Sequence, residues 1–186
     1  MKKHNLVRFL AVPALALCTL LAVGNRANAA DENRGQLSNS DYKFAVAATR
    51  ANNAEVELGQ LAAQKATDPA VRQFAERMVR DHTKANQQLS QILSQKGVTV
   101  PTETSNSEQR EADRLQKYTG AEFDKAYIEH MIRDHKKDVK EFEHASQKAE
   151  DNDLKAFAAN TLPVLQDHLR MAEDLKGTVK AEKRAS

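Results

Sequence analysis

Apolar residues recur every three or four positions along four stretches of the chain, with polar residues between them, and this is the periodicity of helices that bury one face. The first stripe runs through Phe44, Ala47, Ala48, Ala51, Leu58 and Ala62, with Asp41 placed to cap its start. Thr67-Asp68-Pro69 interrupts it and opens a second helix, with Asp68 as N-cap and Pro69 at the first position. That helix turns Val71, Phe74, Ala75, Met78, Ala85, Leu89 and Ile92 inward and closes at Gly97. A third is predicted over residues 121–149, through Ile128, Met131, Ile132, Val139, Phe142 and Ala149. After an Asp151-Asn152-Asp153 turn, the fourth presents Leu154, Phe157, Ala158, Thr161, Leu165, Ala172 and Leu175, with Gly177 at its expected end.

Residues 98–119 break the pattern, apart from a short predicted helix at 108–118. This connection is too long for a tight turn and suits a crossover along the bundle, so the third helix need not run antiparallel to the second. The expected fold is all-α: a four-helix bundle of two antiparallel hairpins joined by a long crossover with a short helix. The halves also echo one another. Lys65-Ala66-Thr67-Asp68 followed by Val71 and Phe74-Ala75 matches Lys148-Ala149-Glu150-Asp151 followed by Leu154 and Phe157-Ala158. Asp81-His82 then matches Asp167-His168 with a three-residue slip.

The N-terminus has a different character. Lys2, Lys3 and Arg8 precede an apolar run over residues 9–23, and Ala27-Asn28-Ala29 has the small-x-small pattern of a signal peptidase site. The run is short and contains Pro13, which disfavours a retained membrane span, and the bulky Leu17 before Cys18 disfavours a lipoprotein anchor. The expected organisation is a signal peptide at 1–29, a flexible segment at 30–40, the bundle at 41–177 and a polar tail at 178–186. The place expected for the mature protein is the periplasm or the exterior, with outer-membrane association an option. Cleavage removes the single cysteine, so an exported protein without disulfides has to depend on core packing, or on a metal. It also removes four of the 28 Lys+Arg residues and none of the 26 Asp+Glu, turning a formal charge of +2 into −2. With no basic block and no interleaved aromatics, nucleic-acid binding is not expected.

Four polar residues stand inside the apolar stripes: Glu55, His82, His135 and His168, one per helix. At 100° per residue each faces the core, and counting from the turns places Glu55 level with His82 and His135 level with His168. Whether the two pairs share a layer depends on the stagger of the hairpins. One carboxylate and three imidazoles suit zinc, iron or copper. The alternative is a metal-free layer in which Glu55 accepts hydrogen bonds from the imidazoles. Asp81, Asp134 and Asp167 lie about 100° round from their neighbouring histidines, where they can orient an imidazole of another helix or remain solvated. His130, His144 and Glu57 fall off the stripes and are expected in solvent. Met78 and Met131 read as core filler, with soft sulfur as the alternative role. Neither a nucleophile motif nor a phosphate loop supports a hydrolase.

Glu55-Val56-Glu57-Leu58-Gly59, Met78-Val79-Arg80-Asp81-His82, Tyr118-Thr119-Gly120 before Phe123-Asp124, and Met131-Ile132-Arg133-Asp134-His135 together resemble a bacterial secreted family known as domain of unknown function 4142. The resemblance spans about Asp41 to Lys176. It implies a ferritin-like bundle in the periplasm or at the outer membrane and brings no established activity. Ferritin-like di-iron sites use Glu-x-x-His pairs, whereas this chain has Val79, Ile132 and Leu165 three residues before its histidines. The expected function is therefore transition-metal binding, in metal handling or envelope stress. The competing expectation is a non-catalytic interaction module whose polar layer fixes helix register.

Overall fold

A computed structural model describes residues 33–185, with side chains described as far as residue 177. Five helices follow in order: α1 (Asn39–Lys65), α2 (Pro69–Gln95), α3 (Asn106–Gln116), α4 (Gly120–Lys148) and α5 (Asn152–Ala185). The bundle is all-α. α1 and α2 form one antiparallel hairpin and α4 and α5 the other, and α3 lies in the crossover. α2 packs on α5, and α1 packs on α4.

Local chemistry sets most helix starts. The Asp68 carboxylate accepts from the Ala70 N–H at 2.7 Å, with Pro69 beside it in the first turn of α2. Ser105 and Glu108 form a reciprocal capping box at α3. α1 differs from expectation: Ser38, not Asp41, is its N-cap, accepting from the Asp41 N–H at 3.2 Å. The Asp41 carboxylate is buried and holds the far turn instead, accepting from the N–H groups of Glu150 at 3.1 Å and Asp151 at 2.7 Å. Asp124 at the start of α4 does the same for the α1–α2 turn, accepting from Thr67 N–H at 3.1 Å and Asp68 N–H at 2.9 Å. Each hairpin thus clamps the other's turn. This arrangement makes α1 antiparallel to α4 and returns α4 parallel to α2, as a crossover requires.

Two further boundaries move. The segment before α1 was expected to be flexible, yet Leu37 is buried and the Asn33 carbonyl accepts from the Thr99 N–H at 3.0 Å, so the segment packs along the end of α2. α5 continues past Gly177 to Ala185. Gly177 does not take the left-handed conformation that ends helices, and the Lys, Glu and Ala after it are good helix formers.

The core is divided. One apolar cluster gathers Leu58, Ala62, Val71, Phe74, Met78, Phe123, Tyr127 and Met131. The other gathers Ala45, Ala48, Leu89, Leu93, Phe142, Leu154, Phe157 and Leu165. The inward histidines fall between these sets in the sequence of every helix that carries one. The polar layer is therefore sealed above and below by hydrocarbon. Gly59 permits close approach within the first hairpin, since a Cβ there would stand 2.9 Å from Val79 Cγ2 and 3.1 Å from the Ala75 carbonyl oxygen.

Candidate metal centre

His82 on α2, His135 on α4 and His168 on α5 meet at one level, with ring centroids 5.4–5.6 Å apart. All three are buried, and one ring nitrogen from each lies within 4.8 Å of the other two. Three buried imidazoles so arranged can hold a metal ion.

Their outer partners decide which nitrogens face inward. His135 Nδ1 lies 3.0 Å from the Met131 carbonyl oxygen, which can only accept, so that nitrogen carries the proton. His168 Nε2 lies 2.9 Å from Asp81 Oδ2, and a carboxylate likewise requires an N–H there. The remaining nitrogens, His135 Nε2 and His168 Nδ1, face each other at 3.4 Å. In neutral rings both are lone pairs, so no proton stands between them. His82 Nδ1 meets the side-chain carbonyl of Asn52 at 2.8 Å, leaving Nε2 as a buried nitrogen without a partner.

The rings are held neutral. Burial drives His135 down to about 3, and the neighbouring His168 adds to the effect. Burial also pushes His82 well below the ordinary histidine value, helped by His135 and His168. His168 is lowered by burial too, with Asp81 pulling partly the other way. Burial raises Asp81 itself, but hydrogen bonds from His168 and Arg77 outweigh it and leave the carboxyl below its usual range. Arg77 braces this side, reaching Asp81 at 3.2 Å and Asp167 at 2.7 Å.

Glu55 is buried in the same layer but does not join the inner face. Its Oε1 is 3.8 Å from His135 Nδ1, the nitrogen already committed to Met131, and both carboxylate oxygens lack a hydrogen-bond partner. Burial raises its carboxyl well above the usual range, and the charges of Asp134, Asp138 and Glu108 push the same way. The residue level with His82 is Asn52, one turn before Glu55. The effective pivot of the hairpin is Thr67, from which Asn52 and His82 are equally distant in sequence.

His130 also departs from expectation. It is buried, with Nδ1 3.0 Å from Glu111 Oε1 and Nε2 3.1 Å from Asp134 Oδ2. α3 covers this face of α4 and brings Glu111, which Arg114 and Arg133 also grip. Asp134 therefore serves His130 on its own helix, and Asp167 serves Arg77 and Arg170; of the three aspartates only Asp81 orients an imidazole of the cluster. His144 and Glu57 are exposed, as expected.

Sequence reasoning passed over Asn52, Tyr127 and Asp138, all buried. The internal repeat carried a signal for two of them: the spacing that superposes Lys65 on Lys148 also places Asn52 on His135 and Glu55 on Asp138. Burial pushes the Asp138 carboxyl up to about 7.

Among solved structures, a DUF305 fragment from Deinococcus radiodurans matches with a TM-score of 0.68 at 15% identity, over 76% of this chain and 98% of that one. A DUF305 protein from Streptomyces coelicolor matches at 0.65 and 16% identity, over 76% and 94%. CopM in its Cu(II)-bound form matches at 0.65 and 17% identity, over 74% and 96%. At these identities the likeness establishes the all-helical fold alone. No curated protein matches the chain significantly. The family profile described as domain of unknown function (DUF4142) matches residues 26–175, so the stripes, the turns and the three-histidine layer all lie within the matched region, and the chain belongs to that family.

Proposed function

We propose that this is an exported metal-binding bundle in which His82, His135 and His168 ligate a transition-metal ion. The observation that carries the reading is the pair of facing lone pairs on His135 Nε2 and His168 Nδ1, with an unpartnered His82 nitrogen beside them. Two acceptors at 3.4 Å repel unless a cation lies between them. Nitrogens bound tetrahedrally at about 2.0–2.1 Å from zinc stand about 3.4 Å apart, so this pair already has a ligand-like separation. Glu55, with Oε1 3.8 Å from His135 Nδ1, is a buried carboxylate beside this layer. Copper is the first ion to try, because CopM is Cu(II)-bound and shares the fold; zinc and ferrous iron follow.

Calorimetric titration of tag-free protein with each ion tests the reading. Stoichiometric binding is expected, with large losses in His82→Ala, His135→Ala and His168→Ala and retention in His144→Ala. His130→Ala is expected to weaken the fold through loss of its Glu111 and Asp134 contacts while leaving metal affinity in place. Absence of binding by any ion would leave the metal-free polar layer of an interaction module as the function of these residues.

Export rests on the basic start, apolar run and Ala27-Asn28-Ala29 of residues 1–29, which lie outside the described residues. Among the described residues no helix is long and apolar enough to cross a membrane. Intact-mass measurement of exported protein is expected to show an N-terminus at Ala30. A lipid-bearing species that retains Cys18 would contradict it.

A further inference from the structure

Resting on the metal-binding reading, we propose that Asn52 is a positioning residue of the centre: its side-chain carbonyl fixes His82 as the Nδ1–H tautomer and thereby directs the Nε2 lone pair to the metal. The distance from His82 Nδ1 to Asn52 Oδ1 is 2.8 Å, and His82 Nε2 is buried without a partner. An imidazole has one proton to place when neutral, so the group that accepts it on one side creates the ligand on the other.

The other two histidines are set in the same manner, His135 by the Met131 carbonyl and His168 by the Asp81 carboxylate. Asn52 completes the set with a neutral acceptor. Its place in the chain is distinctive as well. The repeat spacing that superposes the two turns, and superposes Asp41 on Asp124, puts Asn52 on His135. Asp41 and Asp124 perform equivalent tasks in space, each holding the other hairpin's turn, so the equivalence is structural as well as sequential. Where the second hairpin offers its neighbour an imidazole, the first offers an amide: His168 faces His135, and His82 faces Asn52. Equivalent positions of the two halves therefore play different parts, His135 as a ligand and Asn52 as the holder of one.

The discriminating variants are Asn52→Leu, which keeps the branched shape without an acceptor, and Asn52→Asp, which keeps the acceptor. Nitrogen-15 NMR of the histidine rings in metal-free wild-type protein is expected to show His82 protonated at Nδ1 and bare at Nε2. Asn52→Leu is expected to lose that single-tautomer signature and to weaken binding of copper or zinc by about 10- to 100-fold, while Asn52→Asp retains both. Asn52→Ala serves in place of the leucine variant if circular dichroism shows the latter to be unfolded. Protonation of wild-type His82 at Nε2, or unchanged affinity and tautomer in the acceptor-free variant, would overturn the assignment. The tautomer is read without metal, so a wild type that binds no ion defeats the functional reading while the role of Asn52 is still decided by the spectra.

Discussion

At the scale of single residues, environment rather than identity determines the role of each histidine. His135, His130 and His144 share one helix. His135 is held neutral between hydrocarbon clusters, His130 is clasped by carboxylates under α3, and His144 is exposed. The neutral state has a consequence for stability. An unfolded histidine titrates near 6.5, whereas His135 in the fold titrates at about 3. The unfolded chain therefore binds the proton first, and the histidine's effect is a loss of stability as pH falls from 6.5 toward 3. Glu55 and Asp138 act in the opposite sense, because raised carboxyls cost stability as pH rises through the ordinary carboxylate range. The histidine contribution is isolated by His135→Leu in the presence of a chelator. Between pH 7.5 and pH 5 the variant is expected to lose less stability in urea unfolding than wild type, by up to about 2 kcal/mol; identical pH slopes would show that His135 is not kept neutral by the fold.

Elements are joined by the two buried aspartates at the starts of α1 and α4. A turn between antiparallel helices leaves amide groups facing inward, and burying them without partners is costly. Asp41 and Asp124 supply those partners from the opposite hairpin, which fixes the axial stagger of one hairpin on the other. That stagger is what brings His82 level with His135 and His168. Asp41→Ala and Asp124→Ala are each expected to cost about 1–3 kcal/mol. The two clamps sit at opposite ends of α1, so the double variant is expected to be additive within about 0.5 kcal/mol. Thermal melts of the single and double variants measure this. Wild-type stability in both single variants would mean that water serves the turns equally well.

For the molecule as a whole, a polar layer divides the hydrophobic interior, and both halves are needed to enclose it. Leu58→Asp in one cluster and Phe157→Asp in the other each place an unpaired charge in a dry site and are expected to unfold the bundle or destabilise it severely. Circular dichroism melts decide the outcome, and wild-type melting of both variants would refute the division of the core. The four long helices, the crossover and the inward face of Glu55, His82, His135 and His168 were legible in the sequence, because the face of a helix follows from spacing within a few turns of the same segment. Axial height was less legible. Moving the pivot of the first hairpin by about two residues exchanges Glu55 for Asn52 as the partner of His82, and a hydrophobic pattern tolerates that slip. The burial of His130 depends on α3 folding back over the helix that follows it and bringing Glu111 to the ring, and the capping by Asp41 depends on a turn more than a hundred residues away. The sequence by itself therefore determined the bundle and its inward-facing histidines. Tertiary structure decided which nitrogens of His82 and His168 face the layer, because proton placement on those rings depends on Asn52 and Asp81, acceptors set across helix interfaces by packing, whereas His135 finds its acceptor in the Met131 carbonyl of its own helix.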